Sequence, residues 1–366
     1  MSICLLLFSG CSNKNNQKLY QKTAFDCGFD TFCSLNAYVS DETTFNEYYN
    51  QMVEEFLMYH KYFDIYHEYE GINNLKTINE NAGIKPIEVD QIIIDLLKEA
   101  QAIGTLSLNR FDITSGQLLK VWHNYRDQGQ IANQNGEDGE IPSEQELLDA
   151  SIHHGYEHII INEEKQTVYI DDPNIQIDVG GIGKGYATEL VANKLQSEGL
   201  QNAAINAGGN QKIIGPKANG DGWNVGIQNP AIKLNQDESV IAVIDDVKEN
   251  SVVTSGDYQN YYLGPNEETL GHIIDFKTLK PANHYHSVTI ITKDSGLADC
   301  LSTTLFALNY EDGKLLIEKL SHEYQIEINY IYISDEPLDQ TSIKSKTLHE
   351  YYLTYSPNLK ENIRIN

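Results

Sequence analysis

Positive charge is scarce in this chain. Only 26 Lys and Arg stand against 53 Asp and Glu, a formal net charge of -27. A surface that acidic repels phosphate backbones, which sets nucleic acid aside as a partner. It also repels phosphorylated small molecules, so an enzyme acting on one must gather positive charge locally. Cysteine is sparse too: Cys4, Cys11, Cys27, Cys33 and Cys300 lack the paired spacing of a zinc site. Cys27 and Cys33 fit a disulfide in an oxidising compartment, and equally fit two free, small hydrophobes. The apolar run Ile3 to Phe8 is far too short to cross a bilayer, which takes about 20 apolar residues. No internal repeat, Walker spacing or G-x-G-x-x-G fingerprint occurs, so neither of those nucleotide-binding devices is licensed.

What remains is an ordinary globular composition, 40% hydrophobic and 22% charged, over 366 residues. That length suits one large or two modest domains. Residues 1–11 read as a lipoprotein signal: the apolar run leads through Ser9 and Gly10 to Cys11, the expected lipid acceptor. The expected organisation is this signal, a polar tether over 12–24, one domain over 25–357, and a weakly ordered polar tail over 358–366. The expected location is outside the cytoplasm, on the outer face of the cytoplasmic membrane.

Phe29 to Val39 alternates as a strand. Thr43 to Tyr62 places Phe45, Tyr48, Tyr49, Met52, Val53 and Phe56 at three-and-four spacing, and Ile87 to Ile103 repeats the pattern with Val89, Ile92, Ile93, Leu96 and Leu97; both read as amphipathic helices. Gly129 to Gly139, rich in Gly, Asn, Asp and Gln, reads as a loop. Ser143 with Glu146 forms a helix-starting capping box. A hairpin spans Glu157 to Asn162 and Gln166 to Ile170. A helix over Tyr186 to Leu195 follows, then strands at Ala203 to Asn206, Trp223 to Ile227, Val240 to Ile244, Val252 to Thr254 and Ser287 to Thr292. Two further helices, Leu297 to Leu308 and Gly313 to Leu320, precede a last strand at Ile326 to Ile333. Strands and helices mix without strict alternation, which predicts an α+β layered fold rather than a doubly wound sheet.

Three segments carry chemistry. Ile177-Asp178-Val179-Gly180-Gly181-Ile182-Gly183-Lys184-Gly185-Tyr186 leads from a strand through closely spaced glycines into a helix whose N-terminus offers N–H groups to an anion. Lys184 adds a cation. In Ala298-Asp299-Cys300-Leu301-Ser302-Thr303-Thr304, Asp299 and Thr303 share one helix face, a donor pair suited to a hard cation such as Mg²⁺. The plainer alternative makes Asp299 a helix cap and Thr303 core filler. In Gly271-His272-Ile273-Ile274-Asp275 a histidine lies on an apolar strand, where it is usually a satisfied core residue that Asp275 would orient. Arg110-Phe111-Asp112-Ile113-Thr114-Ser115-Gly116 and Asn206-Ala207-Gly208-Gly209-Asn210 each read alone as turns.

Taken in order, Phe111-Asp112-x-Thr-x-Gly, Ile141-Pro142-Ser143, Asp178-x-Gly-Gly-Ile-x-Lys-Gly-Tyr, Asn206-Ala-Gly-Gly, Ser255-Gly256-x-Tyr258, His272-Ile-Ile-Asp and Ala298-Asp-x-Leu-x-Thr resemble the FAD:protein FMN transferases, the ApbE family. The resemblance runs from about Phe29 to about Leu308. It implies a single layered, T-fold-related α+β domain that takes FAD as a substrate, passes FMN to a Thr or Ser of a target protein and releases AMP. It implies Mg²⁺ held by Asp299, Thr303 and the Gly181 carbonyl. It implies FAD contacts from Phe29, Tyr66, the Arg110-Phe111-Asp112 segment, Asp178, Lys184 and Ile274, with Tyr66 stacking on the flavin. His272 is expected to assist proton transfer from the acceptor hydroxyl. The implied partner is an extracytoplasmic or membrane-bound flavin-acceptor protein. Two alternatives stay open, FAD hydrolysis to FMN and AMP and non-catalytic flavin binding. The sequence departs from the family pattern at Asp64, Gly183, Gln259-Asn260 and Phe276-Lys277-Thr278-Leu279.

Overall fold

The computed structural model describes residues 17–107, 110–231, 239–347 and 349–366; the predicted signal and Cys11 lie outside them. The architecture is α+β and built in three layers. Its centre is a nine-stranded antiparallel sheet of β1 (Lys18–Ala24), β2 (Cys33–Val39), β3 (Ala203–Ala207), β4 (Asn210–Ile214), β5 (Ser251–Gly256), β6 (Ser287–Thr292), β7 (Asn329–Ser334), β8 (Ile343–Lys344) and β9 (Tyr352–Tyr355). Their spatial order is β1-β2-β3-β4-β5-β6-β7-β9-β8.

Alternation along the central strands decides which layer each residue meets. In β7, Tyr330 and Tyr332 face the helices, while Ile331 and Ile333 face a small three-stranded sheet behind. That back sheet joins Trp223–Gln228, Val240–Val247 and Ile363–Ile365. With both faces covered, every residue of β6 is buried, the polar Ser287, Thr289 and Thr292 included. The helical layer holds α1 (Glu42–Phe63), α2 (Leu75–Glu80), α3 (Gln91–Leu106), α4 (Gly116–Gln134), α5 (Glu144–Ser151), α6 (Gly183–Ser197), α7 (Ser295–Phe306) and α8 (Tyr310–Tyr324). Most of its apolar face joins the main cores, but α4 and α5 share a separate small one, in which Leu118, Trp122 and Leu147 meet Tyr262, Leu270 and Ile274.

Several expectations are corrected. The loop expected over 129–139 is helical up to Gln134; Gly129 sits inside α4 because the Tyr262 ring lies against it, and a Cβ there would come within 2.2 Å of Tyr262 Cδ2. The helix expected from Ile87 starts at Gln91, where Asp90 caps it by accepting from Ile92 N; Ile87 and Glu88 instead pair with the hairpin strand Thr167–Ile170. The strand expected from Phe29 begins at Cys33, because Gly28, Phe29 and Asp30 form a turn at φ 81°, 56° and 50°. The tether is strand from Lys18 onward. The tail is also ordered: Ile363 to Ile365 pair with Ile244 to Ala242 in the back sheet. Cys27, Cys33 and Cys300 are free, buried thiols.

Candidate active site

The glycine-rich segment is positioned from both ends. Residues Ile175, Ile177 and Val179 point into the core, while Asn79 clamps the Ile177 backbone, its amide donating to the carbonyl and its Oδ1 accepting from the N–H. Asp178 N–H donates to Ile113 O at 2.8 Å, tying this segment to the Arg110–Gly116 turn. The chain then reverses: Gly180 N–H donates to Asp178 Oδ1 at 2.7 Å, Gly183 N–H donates to Val179 O, and α6 begins without a side-chain cap of its own.

The missing cap comes from another helix. Asp299 Oδ2 accepts from Gly185 N–H at 2.8 Å, so a carboxylate on α7 meets the positive end of α6. Gly185 is the residue that permits this approach, since a Cβ there would fall 2.2 Å from Ser295 O and 2.4 Å from Asp299 Cβ. Asp299 therefore does not cap its own helix; Asp294 does, accepting from Leu297 N–H. Burial pushes the Asp299 carboxyl up, against Lys184, the Gly185 N–H and the Asn210 side chain, which favour the carboxylate. One turn further along α7, Thr303 lies against the glycine turn, with its Oγ1 3.5 Å from the place of a Cβ on Gly181. Ser255 Oγ contacts Ser302 Oγ at 2.8 Å and Thr303 Oγ1 at 3.3 Å, which brings the Ser255-Gly256 motif to the same spot.

These groups border a cavity of about 330 Å³. Phe29, Tyr66, Arg110, Phe111, Asp112, Asp178, Gly181, Lys184, His272, Ile274 and Thr303 all line it; Asp299 is buried just behind, at the α6 terminus. Tyr66 is 56% exposed despite its size, an aromatic face open to the cavity. It stands in a turn organised by Asp64, whose Oδ1 accepts from Tyr66 N–H at 2.6 Å and whose Oδ2 accepts from Tyr69 OH at 2.7 Å. Asp112 is buried and engaged locally, accepting from Thr114 N–H and Oγ1 and pairing with His154.

His272 comes from the opposite wall. Its Nδ1 is buried without a hydrogen-bond partner among the described residues. Burial, followed by the charges of Lys184 and Arg126, pushes the imidazole down to about 4, while a backbone hydrogen bond at Asn260 works the other way. The ring is therefore neutral at pH 7 and able to accept a proton. Asp275 does not orient it: its Oδ1 accepts from Lys277 N–H and shapes the following turn. The loop is instead anchored by Trp122, whose indole N–H donates to Leu279 O at 2.9 Å.

Sequence reasoning missed one contributor, α4, which brings Trp122, His123 and Arg126 to the cavity. His123 Nδ1 lies 3.1 Å from Tyr66 OH, and its Nε2 lies 3.3 Å from Asp127 Oδ2. The available signal was the scarcity of cations: an arginine in so acidic a chain is worth tracing.

An oxygen-only donor set suits Mg²⁺, which takes one or two carboxylates and completes its shell with waters and substrate phosphates. Asp299, Thr303 and the Gly181 turn supply such a set. Among the described residues no cluster of three His, Cys, Asp or Glu could hold a metal unaided.

The model of the ApbE family matches residues 29–328. An FAD:protein FMN transferase of Vibrio cholerae is 26% identical over 315 residues, 86% of this chain and 88% of that protein. One from Buchnera aphidicola is 29% identical over 321 residues, 86% of this chain and 89% of that protein. The crystal structure of the ApbE protein of Thermotoga maritima superposes with a TM-score of 0.71 at 28% identity, covering 86% of this chain and 94% of that one.

Proposed function

The chain belongs to the ApbE family, and we propose that it is an FAD:protein FMN transferase that moves FMN from FAD onto a Thr or Ser hydroxyl of an acceptor protein and releases AMP. One observation carries this reading: a neutral, half-buried imidazole faces a lysine, a glycine-rich helix start and an oxygen donor set across one cavity. Its relatives' function supports it as well.

The exposed Tyr66 ring offers the flavin a stacking surface. The α6 N-terminus and Lys184 receive the pyrophosphate, supplying the local positive charge that the acidic chain otherwise lacks. The acceptor hydroxyl attacks the phosphorus bonded to the riboflavin side, forming a P–O bond as the anhydride bond breaks. The leaving AMP phosphate keeps the electron pair, and the hydroxyl proton goes to neutral His272. Asp299, Thr303 and the Gly181 carbonyl would hold Mg²⁺, which when bound neutralises charge on the pyrophosphate. Phe29, Arg110, Phe111, Asp112, Asp178 and Ile274 shape the FAD pocket around these groups.

Anchorage by lipid at Cys11, outside the cytoplasm, belongs to the same proposal, with an extracytoplasmic or membrane-bound acceptor. A tether confines enzyme and acceptor to one surface and raises their effective concentration. No helix among the described residues is long and apolar enough to cross a membrane.

The test is mass spectrometry of a Thr-containing acceptor peptide after incubation with FAD and Mg²⁺, with AMP measured in parallel. A covalent FMN adduct matched by AMP is expected. AMP without an adduct, at the same rate with and without acceptor, would assign FAD hydrolysis instead, and neither product would leave only flavin binding.

A further inference from the structure

The chain contains three arginines, Arg110, Arg126 and Arg364. Arg364 is spent in a forked pair with Asp245 on the back sheet, at 2.6 and 2.8 Å. The other two both border the cavity. Arg126 is the more telling, because its side chain is only 20% exposed yet forms no hydrogen bond among the described residues. Among the described residues its single ion-pair partner is the adjacent Asp127 at 3.9 Å, a residue that helix geometry turns to a different face. A largely buried guanidinium without a close counter-ion is costly unless a ligand completes it.

Lys184 and Arg126 both line the cavity, Lys184 from the first turn of α6 and Arg126 from α4, the helix whose His123 meets the exposed Tyr66 ring. The α4 helix keeps Arg126 there, because His123, one turn earlier, contacts the Tyr66 hydroxyl.

We propose that Arg126 binds the phosphate that stays with the riboflavin, the phosphate transferred to the acceptor, and so complements Lys184 on the pyrophosphate. This rests on the flavin-transfer reading above and deepens it. A planar, permanently charged fork suits a phosphate that bears two or three terminal oxygens, and holds it in a defined orientation.

The experiment compares binding of riboflavin, FMN, AMP and FAD, each measured by calorimetry without added metal, to the wild-type chain and to Arg126→Ala and Arg126→Lys. Arg126→Ala is expected to weaken FMN and FAD about 10- to 100-fold, the range for losing a hydrogen bond to a charged group. Riboflavin and AMP are expected to bind as before, and Arg126→Lys to recover part of the loss. Equal weakening of riboflavin and FMN would overturn the assignment, since it places Arg126 on the ring or in the fold. Equal weakening of AMP and FMN would overturn it too, by placing the contact on the other phosphate. If wild type binds FMN and FAD and Arg126→Ala binds them equally well, only the role of Arg126 falls. If wild type binds none of the four, the flavin reading falls and takes this one with it.

Discussion

Two walls face each other across the cavity, and they are built by opposite means. One is the junction of α6 and α7 on the main sheet, where Gly185 lets backbone approach side chain within distances no Cβ would allow and Gly181 packs closely on Phe111 and Thr303. The other joins α4 to the segment carrying His272, held by a small core of its own and by scattered bonds such as Trp122 to Leu279 O and Asn133 to the Leu263 backbone. The first wall fixes charges by packing. The second holds its reactive ring by a few contacts to a loop, and a part built that way is the part able to adjust to a second substrate.

The sharpest way to break the comparison is to remove the carboxylate of the packed wall. Asp299→Ala is expected to lower Mg²⁺-dependent AMP release from FAD by about a thousandfold, the scale of losing one preorganised electrostatic contact. Full turnover in that variant would end the metal assignment. On the opposite wall, His272→Ala should keep FAD affinity while transfer falls about 100-fold or more, as for removal of a general base; unchanged single-turnover kinetics would discard the role.

Packing itself is probed by Gly185→Ala. The added methyl meets Ser295 O and Asp299 Cβ, so a loss of about 1–3 kcal/mol or more is expected in denaturant unfolding. An unchanged midpoint would mean that the junction is looser than described. Trp122→Phe, on the second wall, removes one hydrogen bond worth about 1 kcal/mol. Its expected signature is faster amide exchange over 271–281 with little change in global stability, and uniform protection would remove the contrast between the walls.

The remaining prediction concerns pH. His272 is held down to about 4 in the folded protein against an ordinary 6.5, so it stays neutral where the unfolded chain takes up a proton. The stability linked to it is therefore complete above about pH 6.5 and is lost as the pH falls toward 4. NMR titration of the ring in the ligand-free protein should show no midpoint near 6.5.

The same contrast explains what the sequence made legible. The packed wall is local: a run of glycines, a lysine, and an Asp and Thr four apart announce themselves because close approach demands those residue types at those spacings. The α+β layering was readable for a similar reason, since alternation in strands such as β7 separates the two faces it serves. The second wall joins α4 to residues more than a hundred positions away. Its helix hides in the sequence because glycine and amide residues take places where a rigid ring, Tyr262, packs closely. Nothing local marks Arg126 or His123 either; they matter only once the chain closes on itself. Residues 18–24 and 363–365 looked like loose ends because their partners lie elsewhere in the chain.

The chain's two tryptophans stand on either side of this architecture. Trp122 borders the cavity, whereas Trp223 lies in the back layer, its ring centroid 5.7 Å from that of Tyr38. A flavin entering the pocket would quench the emission of the first, which borders it, more strongly than that of the second, which does not line it. The protein thus carries its own pair of optical reporters, one for occupancy and one for the integrity of the far layer. A Trp223→Phe chain would isolate the occupancy signal without any attached dye.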